Sequence, residues 1–144
     1  MKYRKGRPLI MLTAMAFLFI TMTSNFHKAH GVALSIEEGE KMGIPYMSGG
    51  VGLNERSAME DKARDYNLKF VFAAASGSYL DQVEILIQNR AGKVMFEGKS
   101  NGPWYFVDLP QGEYKVVADH AGDKKVRQIV VRDGLKTVLF HWKK

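Results

Sequence analysis

Residues 83–117 read VEILIQNRAGKVMFEGKSNGPWYFVDLPQGEYKVV, and this stretch decides the fold. Val83, Ile85 and Ile87 alternate with Glu84 and Leu86, Trp104 and Phe106 with Tyr105 and Val107, and Tyr114 and Val116 with Lys115 and Val117. Alternation with period two over short runs marks strands whose successive side chains point to opposite faces. Glycine-bearing turns separate the runs at Ala91-Gly92, Asn101-Gly102-Pro103 and Pro110-Gln111-Gly112.

The same grammar extends in both directions. Leu68, Phe70 and Phe72 alternate with Lys69 and Val71 upstream; Ile129 and Val131, then Val138, Phe140 and Trp142, alternate with their neighbours downstream. Further turns fall at Ser76-Gly77-Ser78, Ala121-Gly122-Asp123 and Asp133-Gly134. Turns every ~8–12 residues without intervening helices argue for antiparallel sheets packed face to face. The expected class is mainly β: an antiparallel Greek-key-type β-sandwich of about seven strands over residues 67–144, preceded by one amphipathic helix.

That helix is expected over residues 53–66. Asn54 is placed to cap it, Glu55 sits in the first turn where the helix dipole favours an acid, and Met59, Ala63 and Tyr66 share a face. Its charged residues, Glu55 among them, read as a solvated face. Residues 32–52 carry glycine at 39, 43, 49, 50 and 52 among few large apolar side chains, and read as a Gly-rich linker.

Residues 1–31 read as a secretory signal peptide. Lys2, Arg4, Lys5 and Arg7 form a cationic start, Leu9 to Ile20 carries no charge, and small residues at Ala29 and Gly31 suit cleavage before Val32. A membrane-spanning helix needs about 20 apolar residues, more than this run supplies before Ser24 and Asn25. The chain has no cysteine, so neither disulfides nor lipoprotein processing is expected. The leader holds five of the 21 Lys and Arg and none of the 15 Asp and Glu, so residues 32–144 carry 16 cations against 15 acids. With those cations read as interspersed among acids, no basic footprint for nucleic acid is expected, nor any stable membrane insertion after cleavage.

The segment from Val83 to Val117 resembles the carboxypeptidase regulatory-like domains, the transthyretin-like (prealbumin-like) β-sandwiches. The resemblance rests on the strand Val83–Ile87, the turn Asn89–Lys93, the aromatic strand from Trp104, and the corner Leu109-Pro110-Gln111-Gly112-Glu113-Tyr114, where Gln111 replaces a second proline of the usual pattern. In the corner Pro110 fixes φ at the turn entry, Gly112 is free to take a positive φ, and Tyr114 enters the next strand with its ring inward. Leu109, Pro110, Gly112 and Tyr114 therefore specify packing rather than chemistry. Gly43 to Gly52 followed by a helix is similar to the lead-in of small periplasmic members of this group in Gram-negative bacteria, which implies a periplasmic location.

The catalytic and binding candidates are sparse. His120 and His141 are weak candidates for a metal, since a firm site wants three or four ligands of suitable geometry. Asp119 and His120 are strand neighbours pointing to opposite faces, and Ser76, Ser78 and Ser100 lie in turns without a nucleophile-elbow motif. Ser48-Gly49-Gly50-Val51-Gly52 before a helix could hold an anion but lacks the Lys-Ser/Thr of a nucleotide loop. Lys69 and Asn89 are conceivable isopeptide partners. If Trp104 and Phe106 face the core, Tyr105 and Trp142 are left outward as ligand contacts for stacking on a sugar. No cofactor and no catalytic residue is assigned. The first reading is a non-catalytic module binding a protein or cell-envelope component; the alternatives are a carbohydrate-binding module, and a small periplasmic hydrolase or metal-binding protein.

Overall fold

The computed structural model describes residues 35–143. The signal peptide and its cleavage position lie outside the described residues. Nine strands form two sheets among them: β1 (Glu37–Lys41), β2 (Ile44–Gly49), β3 (Leu68–Ala74), β4 (Glu84–Asn89), β5 (Val94–Lys99), β6 (Trp104–Val107), β7 (Gly112–His120), β8 (Asp123–Val131) and β9 (Lys136–Trp142). One sheet runs β1-β2-β6-β3-β9 and the other β5-β4-β7-β8. Every pairing is antiparallel except β3 with β9, which run parallel from Leu68↔Lys136 to Ala74↔Trp142.

The inner faces supply the main core. Phe70, Phe72, Tyr105 and Phe140 from one sheet meet Ile85, Ile87, Phe96 and Val116 from the other, all at or near zero exposure. Phe70 and Phe140 meet edge to face with centroids 5.8 Å apart, a geometry favoured by the ring quadrupoles. Both core clusters fall between Ile36 and Trp142, so residues 32–144 contain a complete core of their own. No helix of the described residues is long and apolar enough to cross a membrane.

Of residues 32–52, the described ones, 35–52, are not a linker. From Glu37 they form the β1–β2 hairpin, turned at Met42-Gly43 with φ of 54° and 77°, and β2 pairs with the central strand β6. Tyr46, Met47 and Ser48 are buried. Glycine misleads here because it serves strand packing: a Cβ on Gly39 would lie 3.1 Å from the Tyr46 ring, and one on Gly50 3.0 Å from Trp104.

The helix α1 (Leu53–Lys62) is shorter than the span 53–66 and continues as a 3-10 turn over Ala63–Asp65. Its N-cap is Gly52, without a side-chain bond, so Asn54 does not cap. Met59 and Ala63 do face inward, against Met47 and Phe106, and form a second small core on the outer face of the five-stranded sheet. The helix thus acts as a third layer over one side of the sandwich. The four-stranded sheet has no such cover among the described residues.

Candidate functional site

The corner after β6 packs as expected, with one difference. Leu109 and Tyr114 are buried, and the Tyr114 hydroxyl donates to the carbonyl of Pro110 at 2.7 Å; burial pushes its phenol up. Gly112 does not take a positive φ; it opens β7 opposite Val131, and a Cβ there would meet only the Tyr114 ring at ordinary contact distance. Asn67, which sequence reasoning missed, holds the corner from outside: its Nδ2 donates to Leu109 O at 2.6 Å, and its Oδ1 accepts from Leu109 N at 3.0 Å. A lone polar residue before a strand gave no signal of this.

Neither aromatic ligand candidate is available to a ligand. Tyr105 is wholly buried, its ring stacked on Tyr46 with centroids 5.6 Å apart, and burial drives its phenol far above the usual range. Trp142 is also in the core, its Nε1 donating to Asp123 O at 2.7 Å. The sides of β6 are the reverse of those expected. Tyr105 and Val107 point between the sheets, whereas Trp104 and Phe106 point away and lie beneath α1. A helix on the outer face buries both sides of the strand, and alternation then no longer tells inside from outside.

The histidines do not converge. His120 packs on the inward-facing Trp142 with ring centroids 5.8 Å apart, while His141 is exposed on the opposite face of β9, level with Ala73. Among the described residues no three His, Cys, Asp or Glu side chains are grouped to hold a metal ion. Ser100 is buried and accepts from Val83 N at 3.0 Å.

The glycine loop before α1 is already filled by an anion of the chain itself. Glu55, expected on a solvated face, is buried. Its Oε2 accepts from Gly50 N at 3.1 Å and Val51 N at 3.0 Å, and its Oε1 from Ser35 N at 2.9 Å. The bond from Ser35, with those from Val51 and Gly50, holds the carboxyl below its ordinary range against the opposing effect of burial. Arg56 completes the joint by donating to Gly50 O at 2.8 Å.

Lys69 is buried, but its partner is not Asn89. Its Nζ lies 2.6 Å from Glu60 and 3.3 Å above the Trp104 ring. Asn89 Oδ1 accepts from Ala91 N and Lys93 N inside the β4–β5 turn. The two cannot form an isopeptide bond in this arrangement.

What the fold leaves open is the outer face of the four-stranded sheet. Cross-strand register aligns Lys99, Glu84, Asp119 and Lys124 in one row, with Lys124 Nζ 3.9 Å from Asp119. The next row brings Glu97, Leu86, Val117 and Val126 together. Leu86 and Val117 are half-buried and Val126 is 46% exposed. Leu86 and Val117 floor a shallow depression walled by Glu84, Glu97, Lys99, Asp119, Lys124 and Lys41 of β1. Such a surface can bind by apolar contact and by charge, and holds no nucleophile beside a base. No protein-family model matches the chain, and no curated protein matches it.

Proposed function

We propose that this chain is an exported, non-catalytic β-sandwich module that binds a protein or cell-envelope component through the uncovered four-stranded sheet. The observation that carries the reading is the asymmetry of cover. α1 and the 3-10 turn that follows it roof one sheet with Met59 and Ala63, while the other leaves Leu86 and Val117 partly and Val126 largely open to solvent beside a row of charge. A central apolar strip with a polar rim is the anatomy of a protein interface.

Export rests on the cationic, then apolar, leader with small residues before Val32. A periplasmic location follows from the resemblance of the lead-in. Kinship with the carboxypeptidase regulatory-like sandwiches is supported by the buried Tyr114 bonding back to Pro110 across the turn.

A photo-crosslinking side chain at Val117, compared with one at Asp61 on the exposed side of α1, tests the partner surface in the native envelope. Adducts of defined mass are expected from position 117 and not from 61. Equal labelling at both positions, or none at either, overturns the reading.

A further inference from the structure

The charge of residues 32–144 is nearly balanced in total but not in space. Residues 35–122 carry nine Lys and Arg against 13 Asp and Glu, whereas residues 123–143, the edge strands β8 and β9 of the two sheets and the turn that joins them, carry six against two. Arg127, Arg132, Lys136 and Lys143 have no ion-pair partner among the described residues. Of the two acids in this segment, Asp123 pairs with Lys125 at 3.0 Å, and Asp133 accepts from Gln111 Nε2 at 2.6 Å. The segment is therefore a basic element on an otherwise acidic domain.

The same element gathers exposed aliphatic side chains. Val126, Val130, Leu135 and Leu139 are four of the eight large hydrophobic residues left exposed among the described residues. At the β8–β9 turn the two properties meet. Val130 and Leu135, 40% and 39% exposed, share one shallow depression with Arg132, Lys136 and a single acid, Asp133. Lys136 Nζ reaches back to Val130 O at 3.4 Å, which keeps its charge beside the aliphatic pair. On the far side of the turn a second depression is lined by Arg64 and Arg132 together with Asp65, Asp108 and Asp133, so the charge there is mixed.

We propose that the β8–β9 turn docks peripherally on an anionic phospholipid surface. Lipid headgroup phosphates suit unpaired cations, and each Lys or Arg near such a surface contributes about 1 kcal/mol. Shallow aliphatic side chains among those cations suit the headgroup–acyl boundary, where apolar burial adds to the electrostatic attraction. A single-stranded nucleic acid would call for exposed aromatic platforms, and the large aromatics of this segment, Phe140 and Trp142, are buried. An acidic protein would use the cations without needing Val130 and Leu135. This docking goes beyond the partner reading, because it uses the turn rather than the Leu86–Val117 face.

The test is co-sedimentation of residues 32–144 with phosphatidylcholine vesicles and with mixed phosphatidylcholine and phosphatidylglycerol vesicles. Binding to the mixed vesicles alone is expected, weakening as salt screens the charges. Arg132→Gln and Lys136→Gln should each lower the partition constant about fivefold, and Leu135→Ser should lower it without changing the salt dependence. The control Lys93→Gln, on the β4–β5 turn, should leave binding unchanged, and circular dichroism melts establish that each variant folds. Equal binding to both vesicle types, or the same loss with Lys93→Gln as with Arg132→Gln, overturns the proposal. Retention on a heparin matrix with no vesicle binding overturns it in favour of an acidic polymer. None of these failures would alter crosslinking from position 117.

Discussion

Replacing Glu55 should loosen the join between the β1–β2 hairpin and the helix, with a pH dependence that identifies the cause. Three backbone N–H groups, of Ser35, Gly50 and Val51, converge on its two carboxylate oxygens. A hydrogen bond to a charged acceptor contributes about 1.5–3 kcal/mol, and buried donors left unmade cost a similar amount. Because the three share one acceptor group their contributions do not add fully, and Glu55→Ala should cost about 3 kcal/mol. In Glu55→Gln one oxygen becomes an NH2 facing a donor, for a cost of about 2 kcal/mol and a urea midpoint about 1 M lower at neutral pH. The folded-state carboxyl lies below its ordinary range. Its contribution is therefore complete above the unfolded carboxyl's value of about 4.3 and is lost as pH falls through the folded value. Wild type and Glu55→Gln should accordingly differ most at neutral pH and converge in acid. Urea melts across that range, with hydrogen exchange at the Gly50 and Val51 amides, measure both effects. A gap that stays constant from neutral pH into acid, or normal amide protection in the variant, would refute the assignment of this carboxylate as the joint.

Tyr114→Phe removes the bond to Pro110 O and should cost about 1 kcal/mol, read from denaturant melts with an unchanged slope. Gly102→Ala would drive a Cβ into the carbonyl of Gly49; backbone cannot swing aside as a side chain does, so a loss of about 2 kcal/mol or more is expected, and a neutral result would place the two segments farther apart. The Tyr46 phenol is pushed up to about 12, chiefly by its hydrogen bond to Glu37, then by burial. With a folded value above the unfolded one, its contribution is complete below about pH 10 and fades as pH rises through the folded value. Tyr46→Phe should therefore be less stable than wild type at neutral pH and approach it in strong alkali, as phenolate absorbance and melts in parallel can follow.

The strands from Leu68 onward were legible because each has one face on the inter-sheet core and a turn residue at its end. Ala121-Gly122 and Gly134 take the positive φ that their turns need. Two kinds of residue were not legible. The glycines at 39, 49 and 50 look like loop, but they are where β1 and β2 pass close to Tyr46, Met59 and Trp104, and only the partner's bulk explains them. Tyr105 and Trp142 looked like surface aromatics because alternation gives two sides and not which side is in. Glu55 illustrates a third limit. An acid in the first turn of a helix is ordinary, and its burial is set by the amides of Ser35, Gly50 and Val51, which the chain brings to it from the hairpin.

The charge of the molecule follows the same logic with an opposite outcome. A basic isoelectric point near 9.5 suggests a uniformly cationic protein, and subtracting the leader suggests a neutral one. Neither describes the fold. From Ser35 to Gly122 acids outnumber cations, and three of the cations are tied up: Lys62 with Glu38, Lys69 with Glu60, Arg90 with Glu113. After Asp123 the sign reverses within two strands consecutive in the chain, one at the edge of each sheet, and this local run was present in the sequence as a departure from interspersion. Within this segment Lys124 and Lys125 are paired with Asp119 and Asp123, and its cations from Arg127 onward have no ion-pair partner among the described residues. A domain with separated charge and little net charge is oriented by an anionic surface more than it is held by one, because attraction at the basic β8–β9 segment is opposed by repulsion over the acidic remainder. The β8–β9 turn must then supply its own short-range apolar contact to hold on, and Val130 and Leu135 stand where that contact would be made.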